Sequence, residues 1–152
     1  DLIDLSGTKT ITVVGAFKSY IEKISQTSHQ LYVLELNKNA IDSAFQKYYI
    51  PTELAYSVLP ASDIIIITGS ALVNGTLEQL LSFVNLTSQV VITGPSCSFI
   101  PDVLFRNKIR IVGATILQKP EEALQLMSEA AMGYHLFRGY AKKICILNEH
   151  AS

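Results

Sequence analysis

The sequence has no excess of charge of either sign. Its 12 lysine and arginine residues against 13 aspartate and glutamate residues leave a formal net charge of −1. They are spread along the chain, so no basic footprint for nucleic acid is present. Charge as a whole is scarce: charged residues make up 16% of the chain and hydrophobic ones 49%. That balance leaves few polar side chains to cover an independent surface and predicts apolar contact with another subunit, as in a homo-oligomer, or with a partner domain. Cysteine is scarce too. Cys97 and Cys145 are too few for the disulfide framework of a small secreted domain and too far apart for a zinc-type pair, so both read as reduced thiols. Long hydrophobic runs are missing. The longest, Ile64-Ile65-Ile66-Ile67, falls far short of the roughly 20 residues that span a bilayer, and no signal peptide is recognisable. The expected setting is cytoplasmic, away from the membrane. The triplets Asn74-Gly75-Thr76 and Asn85-Leu86-Thr87 then read as structural rather than as glycosylation acceptors. A length of 152 residues suits a single domain. Asp1 opens the chain without an initiator methionine, which reads as a piece of a longer protein.

What is present is a repeating pattern of short apolar runs. Thr10 to Val14, Leu31 to Leu36, Ile64 to Ile67, Gln89 to Thr93 and Ile109 to Val112 each read as a strand. Their near-continuous apolarity, without alternation, is what strands covered by helices on both faces require, and it favours a parallel sheet. Helical spacing lies between them. Phe17, Ile21 and Ile24 share one face, as do Leu77, Leu80, Leu81 and Val84. Pro120 followed by Glu121 and Glu122 marks a further helix start. Right-handed crossovers fold this order into an α/β, three-layer, Rossmann-like doubly wound sheet of about five strands, with strand order 3-2-1-4-5. Tyr48-Tyr49-Ile50-Pro51 interrupts whatever helix joins the second and third strands, because Pro51 biases Ile50 away from helix. The tail after Gly133, with Tyr134, Phe137, Tyr140 and Ile144 among Arg138, Lys142 and Lys143, predicts an amphipathic helix.

Ligands of such sheets bind at the carboxyl ends of the strands, where strand order reverses. Three glycine turns fall there: Gly15, Gly69 within Thr68-Gly69-Ser70, and Gly94 within Gly94-Pro95-Ser96. Glycine permits a sharp turn and close approach of a ligand, and the helix beyond each turn offers unpaired N–H groups. Strand-to-helix turns also need glycine for purely structural reasons, but three in register point to a pocket. Glu35 follows Gly15 by 20 residues, the place where dinucleotide-binding folds set an acid on a ribose hydroxyl. The first turn nevertheless has only the first glycine of G-x-G-x-x-G, and Phe17 stands where the second would admit a pyrophosphate, so NAD is disfavoured. After the third strand, Asn74 or Thr76 is placed to cap a helix. The candidate ligand-binding set is Gly15, Phe17 and Glu35, then Thr68, Gly69, Ser70, Leu72, Asn74 and Thr76, then Gly94, Pro95 and Ser96.

Catalytic and metal signatures are thin. Ser70 and Ser96 have no evident general base, and His29, His135 and His150 lie far apart with no spaced triad partner. No H-x-x-x-H, C-x-x-C or carboxylate cluster is present, so a cage of protein ligands is not expected. Cys97 is the weak metal candidate, since a thiol near a helix start can have its pKa lowered.

Val14-Gly15-Ala16-Phe17, Leu34-Glu35, the run from Ala61 through Thr68-Gly69-Ser70 and Leu72-Val73-Asn74-Gly75-Thr76 to Leu77, and Gly94-Pro95-Ser96 resemble the family of unknown function called putative heavy-metal chelation. The likeness covers about residues 1 to 131, and Val112-Gly113-Ala114 looks like that family's last strand turn. The resemblance implies a Rossmann-like C-terminal module which, in many members, follows a smaller domain like the N-terminal domain of enolases. That smaller domain is not among these residues, which would account for the abrupt start and the apolar balance. Cys97-Ser98-Phe99-Ile100 departs from the family's Thr-Pro-like continuation, so Cys97 is not carried over. The resemblance implies a module that handles a metal chelate or metal-binding small molecule. The residues alone leave open an enzyme using a nucleotide or S-adenosylmethionine-like ligand, and a non-catalytic assembly module.

Overall fold

The computed structural model of the chain describes residues 2–129, 135 and 137–149. All five expected strands are present, and two more join them. The strands are β1 (Thr10–Val14), β2 (Gln30–Glu35), β3 (Tyr49–Pro51), β4 (Ile64–Thr68), β5 (Gln89–Thr93), β6 (Ile109–Leu117) and β7 (Ala141–Leu147). They form one sheet in the order β3-β2-β1-β4-β5-β6-β7. Every neighbouring pair is parallel except β6 with β7. The 3-2-1-4-5 pattern is therefore observed, with third place taken by the short strand at Tyr49–Pro51. Ile64–Thr68 becomes the fourth strand and lies directly beside β1.

Both added strands have physical causes. Pro51 keeps Ile50 extended, and its missing N–H does no harm on an edge strand, so Tyr48 to Pro51 ends as sheet instead of breaking a helix. In the tail, Ala141–Leu147 pairs antiparallel with the long end of β6, from Ile111↔Leu147 to Leu117↔Ala141. The expected amphipathic helix is replaced there by a strand; Tyr134 and the other residues of 130–134, with 136, lie outside the described residues.

Two apolar layers hold the sheet. On one face Val14, Leu34, Ile65, Ile67, Val90 and Ile92 pack with Ala55, Ala71, Leu77, Leu80, Leu81 and Leu104. These last come from α2 (Ala55–Val58), α3 (Ser70–Val73), α4 (Leu77–Phe83) and α5 (Asp102–Phe105). On the other face Ile11, Val13, Leu31, Val33, Ile64 and Ile66 pack with Ile21 of α1 (Lys18–Ser25). Successive residues of a strand alternate between the layers, so an uninterrupted run such as Ile64 to Ile67 has no face to leave polar. Among the described residues, the buried polar side chains Thr12 and Ser62 satisfy each other: Thr12 Oγ1 and Ser62 Oγ are 2.6 Å apart, and Ser62 Oγ also donates to the Val58 carbonyl at 2.9 Å. Among the described residues, no helix is long and apolar enough to cross a membrane.

Ile65 is fully buried and tests this packing. Ile65→Val should cost about 0.5–1.5 kcal/mol and Ile65→Ala about 2–5 kcal/mol, measured by urea denaturation. Costs within error of zero for both would show that the sheet is not packed on this face.

Candidate functional site

Register sets the site. Glu35 pairs with Pro51 across β2 and β3, Val14 pairs with Leu34 and with Ile67, and Thr68 pairs with Thr93. One residue beyond these pairs, Gly15 stands between Glu35 and Thr68 at the carboxyl edge of the sheet. Its φ is +107°, and a Cβ placed on it would lie 3.0 Å from both Cβ and Cγ2 of Thr68. Glycine is needed here for both reasons. Three of the turn's donors are spent on the backbone: Gly15 N–H donates to the Leu34 carbonyl at 2.9 Å, Phe17 N–H to that of Gly15 at 2.9 Å and Lys18 N–H to that of Ala16 at 3.0 Å.

The third expected turn, now following β4, is also folded on itself. The Thr68 hydroxyl donates to Ser70 Oγ and accepts from the Ser70 N–H, both at 3.3 Å. Asn74 ends α3 without capping a helix start. Thr76 precedes α4 but makes no cap bond; its hydroxyl donates back to the Ala71 carbonyl at 3.4 Å. The expected cap is absent because the break between α3 and α4 turns this hydroxyl toward the helix behind it.

These elements enclose a cleft of about 480 Å³, where the strand order reverses between β1 and β4. Its apolar part is Val14, Leu34, Ala55, Ala71, Leu80 and Phe83, and its polar part is Glu35, Thr52, Glu53, Thr68, Ser70, Asn74, Thr76 and Gln79. Six of the twelve sequence candidates therefore meet in it: Gly15, Glu35, Thr68, Ser70, Asn74 and Thr76. Glu35 is half-buried, and its Oε1 accepts the Asn37 N–H at 3.1 Å. Thr52 and Glu53 were not legible as site residues because they follow β3; reading Pro51 as the end of an edge strand would have found them.

The other six candidates stand elsewhere. Phe17 packs on the opposite layer, with its ring edge-on to Tyr20 at 5.5 Å. Leu72 lines a separate cavity of about 590 Å³ between α4 and α5. Gly69 is buried, and a Cβ on it would meet Cys97 Sγ at 2.6 Å and Ser96 Cβ at 3.2 Å. Gly94 and Ser96 thus lie against the β4 turn, and neither they nor Pro95 line the cleft. A third cavity, about 880 Å³ with Leu2, Gln89 and Arg110 among its walls, lies toward the amino ends of the strands. Of these three cavities among the described residues, the 480 Å³ cleft combines an apolar floor with polar groups at the order reversal, where such folds bind ligands.

Cys97 does not fit a metal role. It is fully buried in the core, and burial pushes its thiol up to about 11, the reverse of the expected lowering; desolvation outweighs whatever the short turn contributes. No group of three or more His, Cys, Asp or Glu is placed to hold a metal ion among the described residues. His29 Nδ1 accepts the Lys9 N–H at 3.2 Å, before the first strand and so at the opposite end of the sheet from the cleft. His150 lies outside the described residues.

The profile of the DUF364 family, described as "Putative heavy-metal chelation", matches residues 1–146. The fold is similar to that of a DUF364 protein of unknown function from Pyrococcus horikoshii, with TM-score 0.82 and 26% identity over 97% of this chain and 57% of that one. A second such protein, from Desulfitobacterium hafniense DCB-2, gives TM-score 0.74 and 21% identity over 93% of this chain and 53% of that one. The chain thus spans little more than half the length of either. Prephenate dehydrogenase from A. aeolicus, solved with hydroxyphenyl propionate and NAD+, shares the fold alone, at TM-score 0.56 and 11% identity over 73% of this chain and 43% of that one. No curated protein matches.

Three outcomes are expected. Gly69→Ala should destabilise by about 1–3 kcal/mol through overpacking. Combining it with Cys97→Ala should cost less than the sum, with a coupling of about 0.5–3 kcal/mol; strictly additive costs in a double-mutant cycle would remove the proposed contact. Ellman's reagent should label exposed Cys145 in the native protein and reach buried Cys97 only on unfolding. Because the folded thiol titrates at about 11 against an ordinary 9.0, the unfolded chain loses that proton first. The thiol's contribution to stability is intact below pH 9 and falls as pH rises toward 11. Equal labelling of both thiols in the native state would contradict the burial of Cys97, and a stability profile between pH 9 and 11 that Cys97→Ala leaves unchanged would contradict the linkage.

Proposed function

This chain belongs to the DUF364 family, and from that premise we propose that its cleft at the ends of β1, β2 and β4 binds a small organic ligand that carries a metal. The observation that supports this reading is the make-up of the cleft. About 480 Å³ is the size of a small-molecule site, and an apolar floor under a few oriented polar groups is the usual recognition surface. A metal held by protein alone needs three or four ligands, whereas the cleft offers two carboxylates, Glu35 and Glu53. The organic part of the ligand supplies the remaining donors. The hydroxyls of Thr52, Thr68, Ser70 and Thr76 and the amides of Asn74 and Gln79 orient it, and Glu35 accepts from it.

A second reading rests on Glu35 beside Gly15. An acid at the end of the second strand is placed to accept ribose hydroxyls, so a nucleoside or S-adenosylmethionine-type ligand, with an enzymatic role, is the alternative occupant.

Calorimetric titration with Ni2+, Co2+ and Zn2+, each alone and as a preformed complex with histidine or citrate, tests the first reading. At least one complex should bind saturably and more tightly than its bare metal, and Glu35→Gln should weaken it about tenfold, equivalent to about 1.4 kcal/mol. No saturable binding of any complex would sink the reading. Thermal shift with adenosine, S-adenosylmethionine and NAD decides the second. A rise in Tm that disappears in Glu35→Gln supports it, since a ligand of the native state must stabilise that state, and no rise removes it.

A further inference from the structure

We propose that the cleft selects ligands of net positive charge, such as cationic coordination complexes or organic cations bearing O–H or N–H donors, and rejects phosphates and other anions. The inference rests on the ligand-binding reading above and names its ligand class. Two independent features carry it.

The first is the wall itself. Among the described residues, Glu35 and Glu53 are the titratable side chains of the cleft, and no lysine, arginine or histidine lines it. The two carboxylates share one side. Glu35 pairs with Pro51, and Glu53 follows Pro51 by two residues, so both rise from the β2 and β3 ends. The opposite side, from β4 to α4, carries the uncharged Thr68, Ser70, Asn74, Thr76 and Gln79. The cleft is therefore polarised: a cationic centre is favoured beside β2 and β3, and its donor groups can meet neutral acceptors across from it. An anion would face the same carboxylates at a cost.

The second is the state of the backbone donors. Rossmann-like folds hold phosphates with unpaired N–H groups of the first turn and the helix after it. Here the N–H groups of Gly15, Phe17 and Lys18 donate to main-chain carbonyls, which leaves those of Ala16 and Ser19 from the first turn and helix start. Beside β4, Gly69 N–H donates to the Thr93 carbonyl at 2.8 Å and Ser70 N–H to the Thr68 hydroxyl at 3.3 Å. The helices that open on the cleft are short, α3 with 4 residues and α4 with 7, which limits any macrodipole aimed at an anion.

A pair of exchange-inert cobalt(III) complexes of opposite charge isolates this selection from direct metal coordination. Tris(ethylenediamine)cobalt(III) carries three positive charges and N–H donors; the EDTA complex of cobalt(III) carries one negative charge. Each is titrated into 15N-labelled protein at physiological ionic strength, where long-range attraction is screened. The cation is expected to bind saturably and to shift amide resonances around Gly15, Glu35 and Thr68. Glu35→Gln and Glu53→Gln should each weaken it about tenfold, Glu121→Gln on α6 (Pro120–Ser128) should not, and the anion should not saturate. Spectra of the variants report that they are folded. An anion that binds as tightly as the cation, a cation that fails to saturate, or affinity indifferent to both glutamates overturns the charge selection. The ligand-binding reading then stands if any histidine or citrate complex of the earlier titration binds, and falls with it only if none does.

Discussion

Gly15 and Thr68 stand on adjacent strands with no room between them for a methyl group. That contact follows from the direct pairing of β1 with β4, in which Val14 meets Ile67, and the rest of the carboxyl edge is laid out from it. To one side β2 and β3 bring Glu35 and Pro51 into the same row. To the other, β4 meets β5 at Thr68 and Thr93, and Gly69 lets the turn after β5 press in until Cys97 Sγ occupies the space a side chain would need. The two glycine turns thus act differently. Gly15 keeps the edge open above the sheet, while Gly69 closes it between β4 and β5, which is why Ser96 and its neighbours serve as packing next to the cleft.

Much of this was legible in the sequence because burial on two faces leaves a mark that burial on one does not. Ile64 to Ile67 and Val90 to Ile92 are apolar at successive positions, a pattern a surface element could not carry, and the first of them lies in β4, beside the order reversal. The two strands that escaped notice lack that mark. Tyr49–Pro51 is three residues long, half-buried throughout, and ends in a residue that signals a break. Ala141–Leu147 owes its strand to pairing with β6, a partner far away in sequence, and its apolar residues also fit helical spacing with Phe137 and Tyr140. Local pattern cannot decide between the two where a long-range partner does.

The site was half legible for the same reason. Gly15, Glu35, Thr68, Ser70, Asn74 and Thr76, at or just beyond the ends of recognised strands, could be placed at the carboxyl edge of the sheet from the sequence. Thr52 and Glu53 could not, since their strand was unknown. Cys97 shows the converse error: its position in a turn suggested an activated thiol, but side-chain direction decided the matter, and the Sγ points into the layer formed by Ile67, Ile92 and Leu104. A thiol surrounded by hydrocarbon is held in its neutral form, and serves here as a small apolar side chain.

The character of the cleft follows from how the chain leaves the sheet. A strand that ends in proline has no N–H to offer the next ladder bond, so the chain departs at Pro51 and Thr52 and Glu53 rise beside Glu35. That places a second carboxylate next to the one that Rossmann-like sheets often carry at the end of β2. A lone acid in that position accepts hydroxyls from a neutral sugar and leaves the charge of the remaining ligand undecided. Two acids on one wall, facing uncharged hydroxyls and amides, make the charged groups of the cleft one-signed. The same fold that elsewhere cradles phosphates is thereby turned toward cations by a three-residue strand at its edge, with the sheet left unchanged.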